Sequence, residues 1–405
     1  MTPIEFIPYY YYGTAYFFFM LLWAWITVLY YVGSNVQKVL YSEGSASQEM
    51  AVAMTVFVSY FIGLREIAKD FGDTVGYANH YEHIGSLTQY MTPSLTGEWL
   101  WENIQVFIQH NIGLNVHEYF WFISFVYYGG MLLCSFLLVR KNLWISMMFF
   151  FTAFSTYSYS TNGIRNGFAC SLVLVAIALL ALSTSESRKT GENQVKVVGA
   201  ILLMLCALFC HRSTMLPSVA ALTALYVVKD TKWALRFWLI SIAVSLVAGP
   251  MIEHFFSALG FDDRMSSYSA GQYKEHHAEK FSHVGFRWDF LLYSSAPVAL
   301  IWYVTRRRKF TDPAFAIIAN TYLFCNAFWI MVIRAAYSNR FAYLSWFIHP
   351  LVFAYVLLRM NLWKDQDRKT ALIFFLYSGF TFFMFFIYYY GTTGFKGFNL
   401  YWWKQ

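Results

Sequence analysis

The sequence is poor in charge. Acidic and basic side chains make up 13% of its 405 residues, about half the ~25% usual in a soluble globular domain. A fully solvated surface is therefore excluded. Proline is scarce, at 8 residues, and no Pro-rich linker or low-complexity tail divides the chain, which reads as a single transmembrane domain over 1–405. The 5 cysteines (Cys134, Cys170, Cys206, Cys210, Cys325) all fall in apolar runs without a CxxC pair, so a soluble disulfide framework is excluded. Cys206, Cys210 and His211 share helical spacing, but three soft ligands arise readily by chance in such a helix. No metal or other cofactor is expected. Residues 1–12 carry no Lys or Arg, so the basic start of a cleavable signal peptide is not expected either.

Apolar sequence is abundant instead. Hydrophobic residues reach 58% and aromatics 21%, with a mean hydropathy of +0.44. Twelve apolar segments are readable, near 13–34, 49–67, 117–139, 143–159, 163–184, 195–211, 213–229, 233–251, 289–305, 314–333, 340–360 and 370–391. Runs of this length and composition predict an all-α polytopic membrane protein. More than half of the 29 basic residues fall in alternate short loops, among them Arg140 and Lys141, Arg306 to Lys309, and Arg359 to Lys369. Those loops are expected in the cytoplasm and both termini outside. The positive net charge of +7 is thereby a topology signal and implies no nucleic acid.

Two longer loops, 68–116 and 252–288, then lie outside. The first is acidic, with Asp70, Asp73, Glu82, Glu98 and Glu102. Within it, 98–112 reads as an amphipathic helix with Leu100, Ile104, Phe107 and Ile108 on one face, and Asn103, Gln105 and Gln109 on others. The second, rich in ionisable side chains such as His276, His277 and His283, is a candidate lid.

Six arginines stand at the outer ends of predicted spans, against the charge bias: Arg65, Arg165, Arg212, Arg287, Arg334 and Arg340. Snorkelling to headgroups accounts for one or two. As a set on one side they point to an anionic ligand, because a guanidinium stays charged and binds two phosphate oxygens at once. Four short constellations carry them. Gly63-Leu-Arg65 is followed by Gly72-Asp73, Tyr77 and Tyr81, which at four-residue spacing share a helical face. Asn162-Gly-Ile-Arg165-Asn166 is the second. Phe209-Cys-His211-Arg-Ser-Thr, ahead of Pro217, is the third, with Pro217 expected to loosen the backbone so that His211 and Arg212 face a cavity. Tyr337-Ser-Asn339-Arg340-Phe-Ala is the fourth.

In this order the constellations resemble the EpsG family of bacterial polysaccharide polymerases, itself similar to Wzy-type O-antigen polymerases. That family carries G-x-R with G-x-D-x-x-x-Y, N-x-x-R-Q-x-x-A, F-H-x-S and S-N-R elements. Here Gly72 and Asp73 are adjacent, which leaves Asp70 as a rival carboxylate and a metal held by both aspartates as an unfavoured alternative. Asn166 replaces the glutamine, and Cys210 and Arg212 interrupt the F-H-x-S element. The resemblance implies a GT-C-like bundle of about 12 helices in the bacterial cytoplasmic membrane. Its reaction would join lipid-linked oligosaccharide repeats at the outer face. Arg65, Arg165 and Arg340, with Arg212 or Arg334, are expected to hold the pyrophosphate of the polyprenyl-linked donor. Asp73 or His211 would take the acceptor proton, and Tyr77, Tyr81, Asn162 and Asn339 would meet sugars. Expected partners are polyprenyl-pyrophosphate-linked oligosaccharides and the bilayer, with a chain-length regulator and a flippase as further candidates. An O-antigen ligase would use the same donor, and a lipid-linked oligosaccharide flippase is the non-enzyme alternative.

Overall fold

Backbone polar groups have no water to bond inside a bilayer, so apolar runs of this kind fold as helices that satisfy themselves. A computed structural model describes residues 3–32, 46–84, 90–184, 190–258, 286–334 and 338–392. It is 83% helix, with no strand among the described residues. Two long helices come first, α1 (Tyr9–Val32) and α2 (Ala46–Gly63). A 3-10 turn (Lys69–Phe71) then leads to two short helices, α3 (Thr74–Ile84) and α4 (Trp99–Phe107), the latter prolonged by a π-turn over Ile108–Ile112. The middle of the chain forms α5 (Val116–Val139), α6 (Leu143–Phe151), α7 (Phe154–Thr161), α8 (Ile164–Ser183), α9 (Thr190–Cys210) and α10 (Met215–Tyr226). It closes with α11 (Thr231–Ala258), α12 (Trp288–Trp302), α13 (Pro313–Met331), α14 (Asn339–Trp346), α15 (His349–Arg359) and α16 (Gln366–Thr392).

By length and composition, 8 helical stretches among the described residues can cross a membrane. The α14–α15 stretch is almost wholly enclosed, and α8 and α13 are mostly buried. In contrast α9 and α11 expose apolar side chains such as Leu202, Leu205, Trp233, Leu239 and Ile240, as lipid-facing helices do. Packing pairs α2 and α8 with α5, α9 with α8, α10 and α11 with α13, and α1 with α16.

Helix ends follow local chemistry. Asn115 and Glu118 cap α5 reciprocally: Asn115 Oδ1 accepts from the Glu118 N–H at 3.1 Å, and Glu118 Oε2 accepts from the Asn115 N–H at 3.0 Å. Asp312 accepts from two N–H groups ahead of Pro313 and so starts α13. α2 runs antiparallel along α5. At one end Gly63 lies so close to Trp121 that a Cβ would overlap its backbone. At the other, the Trp144 N–H donates to Ser47 Oγ at 3.2 Å.

Several expectations need correction. The apolar run 143–159 is not one helix: it breaks at Thr152–Ala153 into α6 and α7. Thr152 and Thr156 hydroxyls donate to the carbonyls of Met148 and Phe150, at 2.7 and 2.8 Å, and so take up backbone acceptors at the break. Pro217 does not open the backbone. It sits in the first turn of α10, where its missing N–H is an orphan donor anyway; the interruption is the 3-10 turn Arg212–Thr214. The buried residues of α4 and its π-turn are Trp101, Gln105, Val106 and Ile108, with Leu100 and Ile104 only partly buried and Phe107 exposed, a rotation of about one position from the expected stripe. Gln105 is tolerated inside because it accepts from the Tyr119 hydroxyl at 3.0 Å. The ionisable stretch of the 252–288 loop, including His276, His277 and His283, and also Tyr337, lie outside the described residues.

Candidate anion-binding site

The end of the bundle where α2 finishes and α5 and α8 begin gathers the first two constellations. Arg65, directly after α2, is fully buried. It donates to the carbonyl of Ile62 at 2.8 Å, to Thr74 Oγ1 at 2.9 Å and to the carbonyl of Thr161 at 2.9 Å. Phe71 and Phe120 flank the guanidinium at 5.6 and 5.0 Å. Thr74 also donates to the Thr161 carbonyl, at 2.7 Å, so the end of α7 is tied both to the start of α3 and to the turn after α2. One residue on, Asn162 Oδ1 accepts from the Asp73 N–H at 2.9 Å. Gly72, at φ 64°, lets this happen: a Cβ there would overlap the Asn162 amide. Asp73 itself is exposed, as is Asp70.

Arg165 opens α8 beside this knot and joins it to the third constellation. Its Nη1 lies 2.6 Å from Glu98 Oε2. The other carboxylate oxygen, Oε1, accepts from the Arg212 N–H at 2.9 Å and lies 3.5 Å from His211 Nδ1. Side chains of Arg165, Glu98 and His211 are each 21% exposed, neither sealed in protein nor fully solvated. The Arg165 Nε is buried with no hydrogen-bond partner among the described residues. His211 lies 3.0 Å from Ser213 Oγ and accepts the Ser213 N–H at 3.3 Å, which sets the turn into α10. The Arg212 side chain is exposed.

The fourth constellation arrives through packing. Tyr343 of α14 meets Tyr159 of α7 edge-on at 5.2 Å, and the Tyr159 ring lies under Gly163. α14 also packs on α10 and α13. Asn339 and Arg340, both half-buried, thus open the helix that abuts the Arg165 turn. Tyr343 follows Arg340 by three residues and therefore shares its helical side.

The remaining expected residues fall elsewhere or serve other contacts. Tyr77 is half-buried on α3. Tyr81 is buried, stacks on Tyr119 at 4.0 Å and donates to the Leu114 carbonyl at 2.8 Å. Burial, with the Glu118 carboxylate near, pushes its phenol up to about 12, so it stays a committed donor. It packs α3 onto α5. Arg287 is held by Asp289, through bonds of 2.9 and 2.6 Å, over the Phe290 ring. Arg334 lies between Gly249, at the irregular turn of α11, and the Phe286 ring at 5.7 Å.

Glu98 is the residue that sequence reading did not single out. It counted as one of five carboxylates in an acidic loop, and only its place at the head of the amphipathic segment set it apart. Thr74 and Thr161, too, carry no sequence signal beyond polar residues at the edge of apolar runs. Among the described residues no three His, Cys, Asp or Glu side chains converge as metal ligands would.

What the cluster offers chemically is an anion position. A guanidinium and a backbone N–H converge on one carboxylate, with an imidazole at its side. The family model of the EpsG family matches residues 50–402, nearly the whole chain and all four constellations. No curated protein and no solved structure matches.

Proposed function

The chain belongs to the EpsG family, a Wzy-like family of polysaccharide polymerases, and on that premise we propose that it is a membrane glycosyltransferase extending a polyprenyl-pyrophosphate-linked glycan. Its bundle is read as GT-C-like with about 12 crossings, counting also α2, the α6–α7 pair, α10 and α12. The observation that carries the proposal is the anion position formed by Arg165 and the Arg212 N–H, with His211 beside it. A pyrophosphate leaving group needs such donors, since they stabilise charge that develops as its bond to sugar breaks.

In this reading an acceptor hydroxyl oxygen attacks the anomeric carbon of the donor chain. The new glycosidic bond forms as the carbon–oxygen bond to the pyrophosphate breaks, and the pyrophosphate leaves with the electron pair. The hydroxyl proton passes to His211, which outranks Asp73 because it lies in the cluster while Asp73 is exposed on the facing turn. Arg165 binds pyrophosphate oxygens, with Arg212 and Arg340 beside it. Arg65, fully buried and giving three hydrogen bonds to protein through Nη1 and Nη2, positions the turn that presents Arg165. Tyr77, Asn162 and Asn339 are assigned to contact with sugars.

The test is the size distribution of surface polysaccharide after deletion of the gene and its return as wild type or as Arg165→Gln. Wild type should restore polymer. Arg165→Gln should give single repeat units, with polymer reduced at least ~100-fold, as for loss of one transition-state donor. Full polymer from Arg165→Gln would overturn the assignment. Polymer held on its carrier lipid in the deletion would indicate the ligase, and repeats trapped on the cytoplasmic side would indicate the flippase.

A further inference from the structure

Glu98 presents an oddity of placement. It occupies the N-cap position of α4, where a carboxylate ordinarily accepts from the helix's first N–H groups, yet it makes no side-chain cap bond. Its carboxylate turns instead to groups distant in sequence, the guanidinium of Arg165 and the N–H of Arg212. Those are the donors that the proposed reaction needs for the donor pyrophosphate. A carboxylate and a phosphate oxygen are alike in charge and in the bonds they accept, so they compete for one position.

We propose that Glu98 is a resident anion that fills the phosphate position of the empty site and is displaced when the donor pyrophosphate binds, so that it sets the affinity threshold of the site. The proposal rests on the reading of Arg165 as a pyrophosphate ligand.

Three further features fit displacement. First, Glu98 satisfies the Arg165 guanidinium only in part: it meets Nη1, while Nε stays buried without a partner among the described residues, so the resident contact is incomplete. Second, the helix behind Glu98 is anchored. Trp101 is buried against Phe168 at 5.6 Å, Gln105 is bonded to Tyr119, and His80 lies 2.7 Å from Glu102. Third, the approach to Glu98 is open: residues 90–96 are exposed, and a Cβ on Gly97 would meet nothing nearer than 3.8 Å. The carboxylate can therefore swing at Gly97–Glu98 while α4 stays seated. Oε1, already near His211, gives the displaced carboxylate a second place to rest beside the ring that receives the acceptor proton.

The direction of effect is what makes this testable. If Glu98 merely positions Arg165, its loss weakens anion binding; if it competes for the site, its loss strengthens binding. The purified full chain in detergent would be titrated with inorganic pyrophosphate by calorimetry, as wild type, Glu98→Gln, Glu98→Asp and Arg165→Gln. Removal of one partly exposed ion pair should tighten binding by about fivefold in Glu98→Gln. Glu98→Asp, with the charge kept but the reach shortened, should fall between, and this variant also guards against a folding defect in the first. Arg165→Gln should abolish binding. Equal or weaker binding by Glu98→Gln, with Arg165→Gln still inactive in binding, would overturn the competition and leave the proposed function standing. Wild-type affinity in Arg165→Gln would instead overturn the pyrophosphate reading beneath it.

Discussion

Arg65 and Arg165 differ in what remains of their donors once the protein has been served. Arg65 gives three hydrogen bonds to Ile62, Thr74 and Thr161 and is sealed between aromatic rings, so its charge holds two turns together. Arg165 gives one short contact to a carboxylate at a part-open position. The link between them passes through Gly72 and Asn162. Gly72→Ala should lower the thermal midpoint of the purified chain and cut polymer yield, because φ 64° suits glycine and a Cβ strikes the Asn162 amide; the strain is worth about 1–3 kcal/mol. Gly72→Ala combined with Asn162→Ala should recover part of the midpoint, since the clash is then gone and only backbone strain remains. A double variant no more stable than Gly72→Ala alone would refute the clash. At this scale the arginines were legible because charge at the edge of apolar sequence is conspicuous. Glu98 was not, because its partners lie 67 and 114 positions away and its place at the head of an amphipathic segment does not reveal them.

Elements bring these residues to one place through a few close approaches. α2 can deliver Arg65 only because Gly63 allows it against the backbone of α5 at Trp121. Gly63→Ala should push the helices apart, destabilise the fold by roughly 1–3 kcal/mol or more and lower the monodisperse yield on size-exclusion chromatography. Gly76→Ala on α3 is the matched control: a Cβ there meets nothing within 4 Å, and alanine gains about 1 kcal/mol of helix propensity over glycine. Similar losses from both would show that helix contact at Gly63 is not the cause. Apolar length predicted where helices exist, and those expectations hold for α1, α5, α8, α9, α13 and α16. It could not reveal the break at Thr152, since threonine reads as a tolerated residue in an apolar run and only the fold shows its hydroxyl bonding back to Met148. The buried Gln105 rotates the face of α4 for the same reason: its partner, Tyr119, comes from another helix.

For the whole molecule the question is which end faces out. α5 separates two chemically different ends by its 24 residues, roughly 35 Å at 1.5 Å per residue. Beyond its first residue lie Glu98, Arg165 and the acidic segment around them. Past its last, Arg140, Lys141, Arg359, Lys364 and Arg368 line one cavity of about 1250 Å³ with only Asp365 and Asp367 opposing them. Basic residues concentrate in cytoplasmic loops, so the cavity end should face the cytoplasm and the Arg165 end the outside, where a polymerase would meet lipid-linked repeats after their transfer. Single cysteines decide this. Thr96→Cys lies in the exposed run ahead of Glu98, and Lys364→Cys lies at the rim of the basic cavity. A membrane-impermeant maleimide applied to intact spheroplasts should label Thr96→Cys at least ~10-fold above the parent chain, and Lys364→Cys only after the cells are opened; ~10-fold discrimination corresponds to a bilayer that excludes charged reagent from one side. The reverse pattern would place the arginine cluster in the cytoplasm. Donor pyrophosphate would then be met before transfer across the membrane, and extension of chains at the outer face could not be the reaction that Arg165 serves.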